Sequence, residues 1–112
     1  MKLRPWDVVF ARADERDPVG HPAVVLSCAD ILDDEKHQRI NLVTGSKRPP
    51  AYSLRSHHVQ LNGSDGLEFA TLIDCSMIYV VRKASLLRLV GSVSYERRRE
   101  IARKIRAWLS LG

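Results

Sequence analysis

The chain has 112 residues, enough for one domain and too few for two. Its hydrophobic content of 45% suits a globular core, and it lacks the 18 consecutive apolar residues that a membrane-spanning helix needs. The net charge of +5 is unevenly placed: residues 1–81 carry nine Lys/Arg against eleven Asp/Glu, whereas residues 82–112 carry nine against Glu96 and Glu100 alone. The basic C-terminal third predicts an acidic partner, either nucleic acid or an acidic polypeptide, with a solvated helix face as the plainer alternative. The opening residues, MKLRPWDVVFARADERD, pass from a short apolar run into charge rather than a small-residue cleavage site, so a cytoplasmic protein is expected. Cys28 and Cys75 fit no C-x-x-C pattern and are too few for a disulfide scaffold. Both are expected to be buried or half-buried thiols with no catalytic or metal role.

The first two thirds read as β. A strand is expected over residues 6–11, just after Pro5. Residues 11–20, rich in Asp, Glu, Pro and Gly, form a long polar hairpin loop. Pro22 then opens Ala23-Val24-Val25-Leu26-Ser27, a β-branched run typical of a buried strand. Residues 30–37 are a charged connection with room for one helical turn. Arg39 to Thr44 alternates polar and apolar and breaks at Gly45. After Pro49-Pro50, a strand is expected over residues 52–61, which would send the side chains of His57 and His58 to opposite faces. Asn62-Gly63-Ser64-Asp65-Gly66 is a strong turn signal. Residues 72–81 give one strand or a bent pair, and Leu89-Val90 a short one.

The period then changes. Ser94 precedes a helical pattern with Glu96 in its first turn, and Ile101, Ile105, Trp108 and Leu109 recur as one apolar stripe. Arg97 at the third helical position rules out a capping box. Burying each apolar side chain contributes roughly 1.5–3 kcal/mol, so the helix docks on the domain. Several short strands and one amphipathic helix predict a mainly β fold, a small barrel or strongly bent antiparallel sheet capped by the helix.

The order of the pieces is more specific than any one of them. Asp7-Val8-Val9 leads through a polar loop to Pro22-Ala23-Val24-Val25-Leu26-Ser27. Val43-Thr44-Gly45-Ser46-Lys47 and His58-Val59-Gln60-Leu61 follow, then a strand ending near Arg82-Lys83, Leu89-Val90-Gly91-Ser92-Val93-Ser94 and the final helix. Along nearly its whole length the chain resembles the MazF/PemK family of type II toxin–antitoxin toxins. The resemblance implies an SH3-like (CcdB-type) antiparallel barrel, one toxin domain over residues 1–112, and a homodimer. It also implies metal-independent, cofactor-free endoribonuclease activity on single-stranded RNA. In that chemistry the RNA's own 2′-hydroxyl attacks the adjacent phosphate and leaves a cyclic phosphate. An acidic, disordered antitoxin segment is the implied inhibitor.

The same resemblance places Thr44 beside the scissile phosphate as a hydroxyl donor, with Ser46 and Lys47 of the following turn, Arg55 and His58 as RNA or phosphate contacts. Arg97, Arg99, Arg103, Lys104 and Arg106 are the expected contacts for the antitoxin or the RNA backbone. The chain departs from the family at three places. His21 stands where the family carries a catalytic arginine before the proline, the preceding loop is shorter, and Met77-Ile78-Tyr79 replaces a Gln-Ile-Arg pattern. Histidine exchanges protons near neutrality, where arginine stays charged. His21 therefore has three open roles: general acid or base, weak phosphate contact, or a corner residue tying down the loop. The alternative function is a non-catalytic member of the fold that binds RNA or poisons a protein target, as the similarly folded CcdB toxins bind DNA gyrase. None of the four histidines has metal-ligand spacing with a cysteine or carboxylate, so no metal is expected.

Overall fold

The fold is that of a computed structural model, which describes residues 1–12 and 14–112. Seven antiparallel strands run β1 (Asp7–Ala11), β2 (His21–Val25), β3 (Arg39–Lys47), β4 (His58–Leu61), β5 (Thr71–Asp74), β6 (Tyr79–Arg82) and β7 (Leu86–Ser92). Two helices, α1 (Ala29–Asp33) and α2 (Tyr95–Trp108), interrupt and end the series. The sheet order is β4-β5-β3-β2-β1-β7, with β6 also paired to β3.

The doubled valines explain the centre of this sheet. Side chains alternate faces along a strand, so Val8-Val9 and Val24-Val25 each commit one residue to either side. Val8, Val24 and Val43 join Val59, Leu61, Ile73, Val93, Ile101 and Ile105 in one core. Val9, Ala23, Val25, Ile40 and Leu42 form a second core on the other face, closed by Ile31 and Leu32 of α1. A sheet buried on both faces reads in sequence as near-continuous apolar runs rather than clean alternation.

No described pairing joins β4 to β7, so the expected barrel is an open, strongly bent sheet. Helix α2 covers the opening. Ile101 and Ile105 insert into the first core beside Val59 and Leu61 of β4. Two glycines let the turn after β4 lie directly on β7. A Cβ on Gly66 would stand 2.1 Å from the Val90 carbonyl oxygen, and one on Gly91 would stand 2.2 Å from that of Asp65. Asp65 is buried there. Its carboxylate accepts from Asn62 N (3.0 Å), Ser94 N (3.2 Å) and Arg97 Nη1 (2.7 Å), tying the turn to the first residues of α2.

Several sequence expectations need correction. Strand β2 starts at His21, ahead of the proline, so His21 is a strand residue. Gly45 does not break β3, which runs on through Lys47. Glycine is required at that position because β5 crosses so closely that a Cβ would stand 2.5 Å from the Leu72 carbonyl oxygen. Residues 52–57 are not strand. His57 precedes β4 in a turn, and its ring lies beside that of His58 at 4.2 Å rather than on the opposite face. Cys28 is exposed at the start of α1, whereas Cys75 is buried. Trp108 leaves the apolar stripe half in water, its ring edge against His57 at 5.2 Å.

Candidate active site

Strand register brings His21 and Thr44 to one place. Ala11 pairs with His21 across β1–β2, and Ala23 pairs with Thr44 across β2–β3. His21 and Ala23 are two residues apart and share a face, so His21 sits diagonal to Thr44, a relation that spans about 7–8 Å in an ordinary sheet. The small side chains of Ala11 and Gly45 leave space beside them unfilled. The result is a cleft of about 420 Å³ lined by Ala11, Arg12, His21, Leu42, Thr44, Gly45 and the Tyr79–Val81 segment of β6. Thr44 sits where its strand changes partners: β6 pairing ends at Leu42, and β5 pairing begins at Gly45.

The His21 side chain is 59% exposed, and its Nε2 lies 3.6 Å from Asp17 Oδ2. That separation exceeds a hydrogen bond but suits an ion pair when the ring is protonated. Asp17 is itself held in the loop, because its Oδ1 accepts from Gly20 N at 2.9 Å. Gly20 has φ +77, a left-handed conformation that favours glycine. The loop thus presents a carboxylate to the histidine at the mouth of the cleft. Asp17 escapes sequence reading, because its i,i+4 relation to His21 across a Pro-Gly loop has no periodic signature. Arg12 escapes it too, since a charge just past a strand end looks like ordinary loop composition.

The other expected contacts lie elsewhere. Ser46 and Lys47 belong to β3 and pair with Leu72 and Thr71, so they form no outward turn. Lys47 Nζ stands 4.1 Å over the Phe69 ring, beside a separate hollow of about 220 Å³ that also holds Phe10 and Arg88. Tyr79 lines the cleft, but Met77 does not.

Arg55 and His58 fall in a second cluster, away from the cleft lining. The His58 ring contacts His57 and lies 5.9 Å from Tyr52, its Nδ1 accepts weakly from Arg55 N at 3.3 Å, and its backbone faces Asp74 across β4–β5. Partial burial and the neighbouring positive charge of His57 push the His58 pKa below its usual 6.5, against an opposing pull from Asp74. Burial would raise the Asp74 carboxyl, but two hydrogen bonds from Ser76, at 2.6 and 2.8 Å, hold it below its ordinary value.

The basic helix divides into two sets. Arg97 binds Ser64 and buried Asp65, and Lys104 donates to the His58 carbonyl oxygen at 2.6 Å and pairs with Glu100 at 3.2 Å. Arg99, Arg103 and Arg106 are exposed and line a shallow depression with Glu96 and Glu100. Among the described residues no group of three His, Cys, Asp or Glu side chains gathers to hold a metal ion. Among the same residues no helix is long and apolar enough to cross a membrane.

An open, bent antiparallel sheet plugged by a C-terminal helix, with a cleft of mixed lining at a strand-partner switch, defines a small single-sheet β protein. The PemK-like, MazF-like toxin model of type II toxin–antitoxin systems matches residues 4–109, and the chain belongs to that family. The Mycobacterium tuberculosis toxin MazF-mt6 superposes with a TM-score of 0.76 at 14% identity, over 95% of this chain and 98% of that one. An endoribonuclease in complex with its cognate antitoxin from Mycobacterial species gives 0.76 at 14%, over 99% and 96%. The MazE–MazF complex from Deinococcus radiodurans gives 0.75 at 15%, over 98% of each chain. At such identities the likeness establishes the fold alone. No curated protein matches.

Proposed function

We propose that this chain is a metal-independent, cofactor-free endoribonuclease toxin that cuts single-stranded RNA within the cleft. The single observation that carries this reading is the convergence of His21 and Thr44 on one face of the sheet. His21 takes the proton from the RNA 2′-hydroxyl as that oxygen attacks the adjacent phosphorus. The bond to the 5′-oxygen breaks, and the cleft's open mouth lets water protonate that oxygen as it leaves. The products are a 2′,3′-cyclic phosphate and a 5′-hydroxyl. Thr44 donates its hydroxyl to a non-bridging oxygen, where negative charge builds in the transition state. Asp17 orients the ring and pairs with it once it is protonated. Proton transfer of this kind contributes about 10²–10⁴-fold.

A cytoplasmic protein working as a homodimer, held silent by an acidic antitoxin, fits the family. A second copy would cover apolar side chains that a single chain leaves in water outside the cleft, Met77 and Ile78 among them. The free arginines of α2 suit an acidic segment: Arg99, Arg103 and Arg106 are exposed, whereas Arg97 and Lys104 are held internally. Affinity for the antitoxin should fall steeply as salt rises, and a salt-independent affinity would remove this surface from consideration.

The deciding experiment is cleavage of a long unstructured RNA in chelator by the wild type, His21→Ala and Thr44→Ala. Cutting by the wild type and its loss by at least about 100-fold in both variants supports the assignment. Folded, antitoxin-free wild type that leaves the RNA intact would defeat it, as would variants that cut normally.

A further inference from the structure

Just past the end of β1 stands a charge with no ion-pair partner among the described residues. Arg12 follows Ala11, the last residue of the strand, and its backbone N–H donates to the Ser85 carbonyl oxygen at 2.9 Å. The half-buried side chain lines the cleft beside His21 and Thr44. Nη2 donates to the neutral Glu15 carbonyl oxygen at 2.7 Å. Nε is shut off from solvent and has no hydrogen-bond partner, and among the described residues no ion pair includes Arg12.

Arginine cannot shed its charge when buried, so the unpaired donor is a standing cost to the fold. Buried donors without partners are few in native proteins, and each calls for a cause. Among the described residues Arg12 Nη1 makes no hydrogen bond and, unlike Nε, is not shut off from solvent, so it is the donor that an anion can reach. Arg12 is the one lysine or arginine among the described residues of the cleft lining, and phosphate chemistry there needs positive charge. On its other side Arg12 borders a smaller hollow with Asp14 and Glu15, whose carboxylates would repel an anion. The cleft has one carboxylate at its mouth, that of Asp17 beside His21, against two in the hollow, so the approach is from the cleft.

We infer that Arg12 is the phosphate-binding residue of the cleft, donating its free Nη–H groups to oxygens of an RNA phosphate held next to Thr44. The inference deepens the ribonuclease reading and rests on it for the identity of the anion. It assigns the bidentate phosphate contact to Arg12 at the end of β1, which leaves His21 on the paired strand free to move a proton.

The test uses a fluorescent oligodeoxynucleotide, which carries the phosphates but lacks the 2′-hydroxyl and so is not cut. Binding is followed by anisotropy across a salt series for the wild type, Arg12→Gln, Arg12→Lys and Lys36→Gln, the last a control for removal of one distant charge. Arg12→Gln should weaken binding by about tenfold or more, as expected when charge-assisted hydrogen bonds are removed. Its log–log salt slope should be shallower by about 0.7 for each phosphate that is no longer neutralised. Arg12→Lys keeps the charge without the fork and should fall between. Without ligand, Arg12→Gln should melt no lower than the wild type, because it removes an unsatisfied donor; a purely structural arginine would lower the melting temperature.

Arg12→Gln that binds like Lys36→Gln, or whose weaker binding tracks a lower melting temperature, would overturn the inference. So would a wild type with no affinity for the oligodeoxynucleotide. The two readings separate cleanly. RNA cutting that Arg12→Gln leaves intact defeats the role of Arg12 and spares the ribonuclease. Arg12-dependent binding without any RNA cutting defeats the ribonuclease and spares Arg12.

Discussion

Replacing Arg97 by methionine should destabilise the fold far more than replacing any arginine exposed on α2. The guanidinium lies 2.7 Å from Asp65, whose side chain is fully buried, while that of Arg97 is 26% exposed. Removing one partner of a buried pair costs about 3–5 kcal/mol. Two features lower that figure. The Asp65 carboxylate keeps its bonds from Asn62 N and Ser94 N, and the vacated Arg97 position is open enough for water. A loss of about 2 kcal/mol follows, against about 0.5 or less for a solvated surface arginine such as Arg103. For a domain of this size that is roughly 8 °C in melting temperature. Urea unfolding of Arg97→Met, Asp65→Asn and the double variant supplies the assay. The double variant should be better than the sum of the singles by about 1 kcal/mol or more, since no buried charge is left behind. An Arg97→Met protein within about 0.5 kcal/mol of wild type, or strict additivity, would refute the reasoning.

Three further outcomes follow from the same structure. Gly45→Ala should lose about 1–3 kcal/mol in urea, because the new methyl meets the Leu72 backbone and β5 must shift; an unchanged midpoint would contradict that crossing. In the folded protein a thiol reagent at neutral pH should label Cys28 only. Cys75 is buried, and burial pushes its thiol up to about 12, so two adducts on native protein would disprove its protection. Acidification should lower stability in two steps. His58 titrates below 6.5 in the fold, so the unfolded chain binds the proton more readily, and stability starts to fall as pH drops through that value. Asp74, also held low, adds a second loss as pH falls through and below its ordinary 3.8. Thermal melts from about pH 7.5 to 5.5 should show the first step, and His58→Gln should flatten it; an identical slope in that variant would exclude His58 as its source.

Strand placement was legible where physics is local. The pairs Val8-Val9 and Val24-Val25 announce strands buried on both faces, and the amphipathic spacing of Ile101 and Ile105 announces a docked helix. What was illegible depends on residues distant in sequence. Gly45 looks like a strand break until β5 is laid against it. Arg97 looks like one more basic surface residue until Asp65 arrives from the turn after β4. His57 and His58 look like opposite-facing neighbours if a strand runs through both, but the turn before β4 rotates one ring onto the other. At the site, Thr44 and His21 could be named from the order of motifs, yet their shared face needed the register of β1, β2 and β3. Asp17 and Arg12 had no sequence signal, because each gains its setting from a loop whose path the composition does not dictate.

The pairing of β1 with β7 also has a kinetic side. It joins the first strand of the chain to the last, and α2, which plugs the open side, follows only after β7. Pairings between segments so distant in sequence form late, because the chain between them must first be ordered. A growing polypeptide can therefore assemble the β1–β2–β3 hairpins early, but it exposes the edge of β1 and one side of the first core until synthesis is almost finished. Ser85, the backbone partner of Arg12, reaches its place only with that final closure. The backbone anchor of Arg12, at one edge of the cleft, is thus set at the end of folding rather than with the first hairpins.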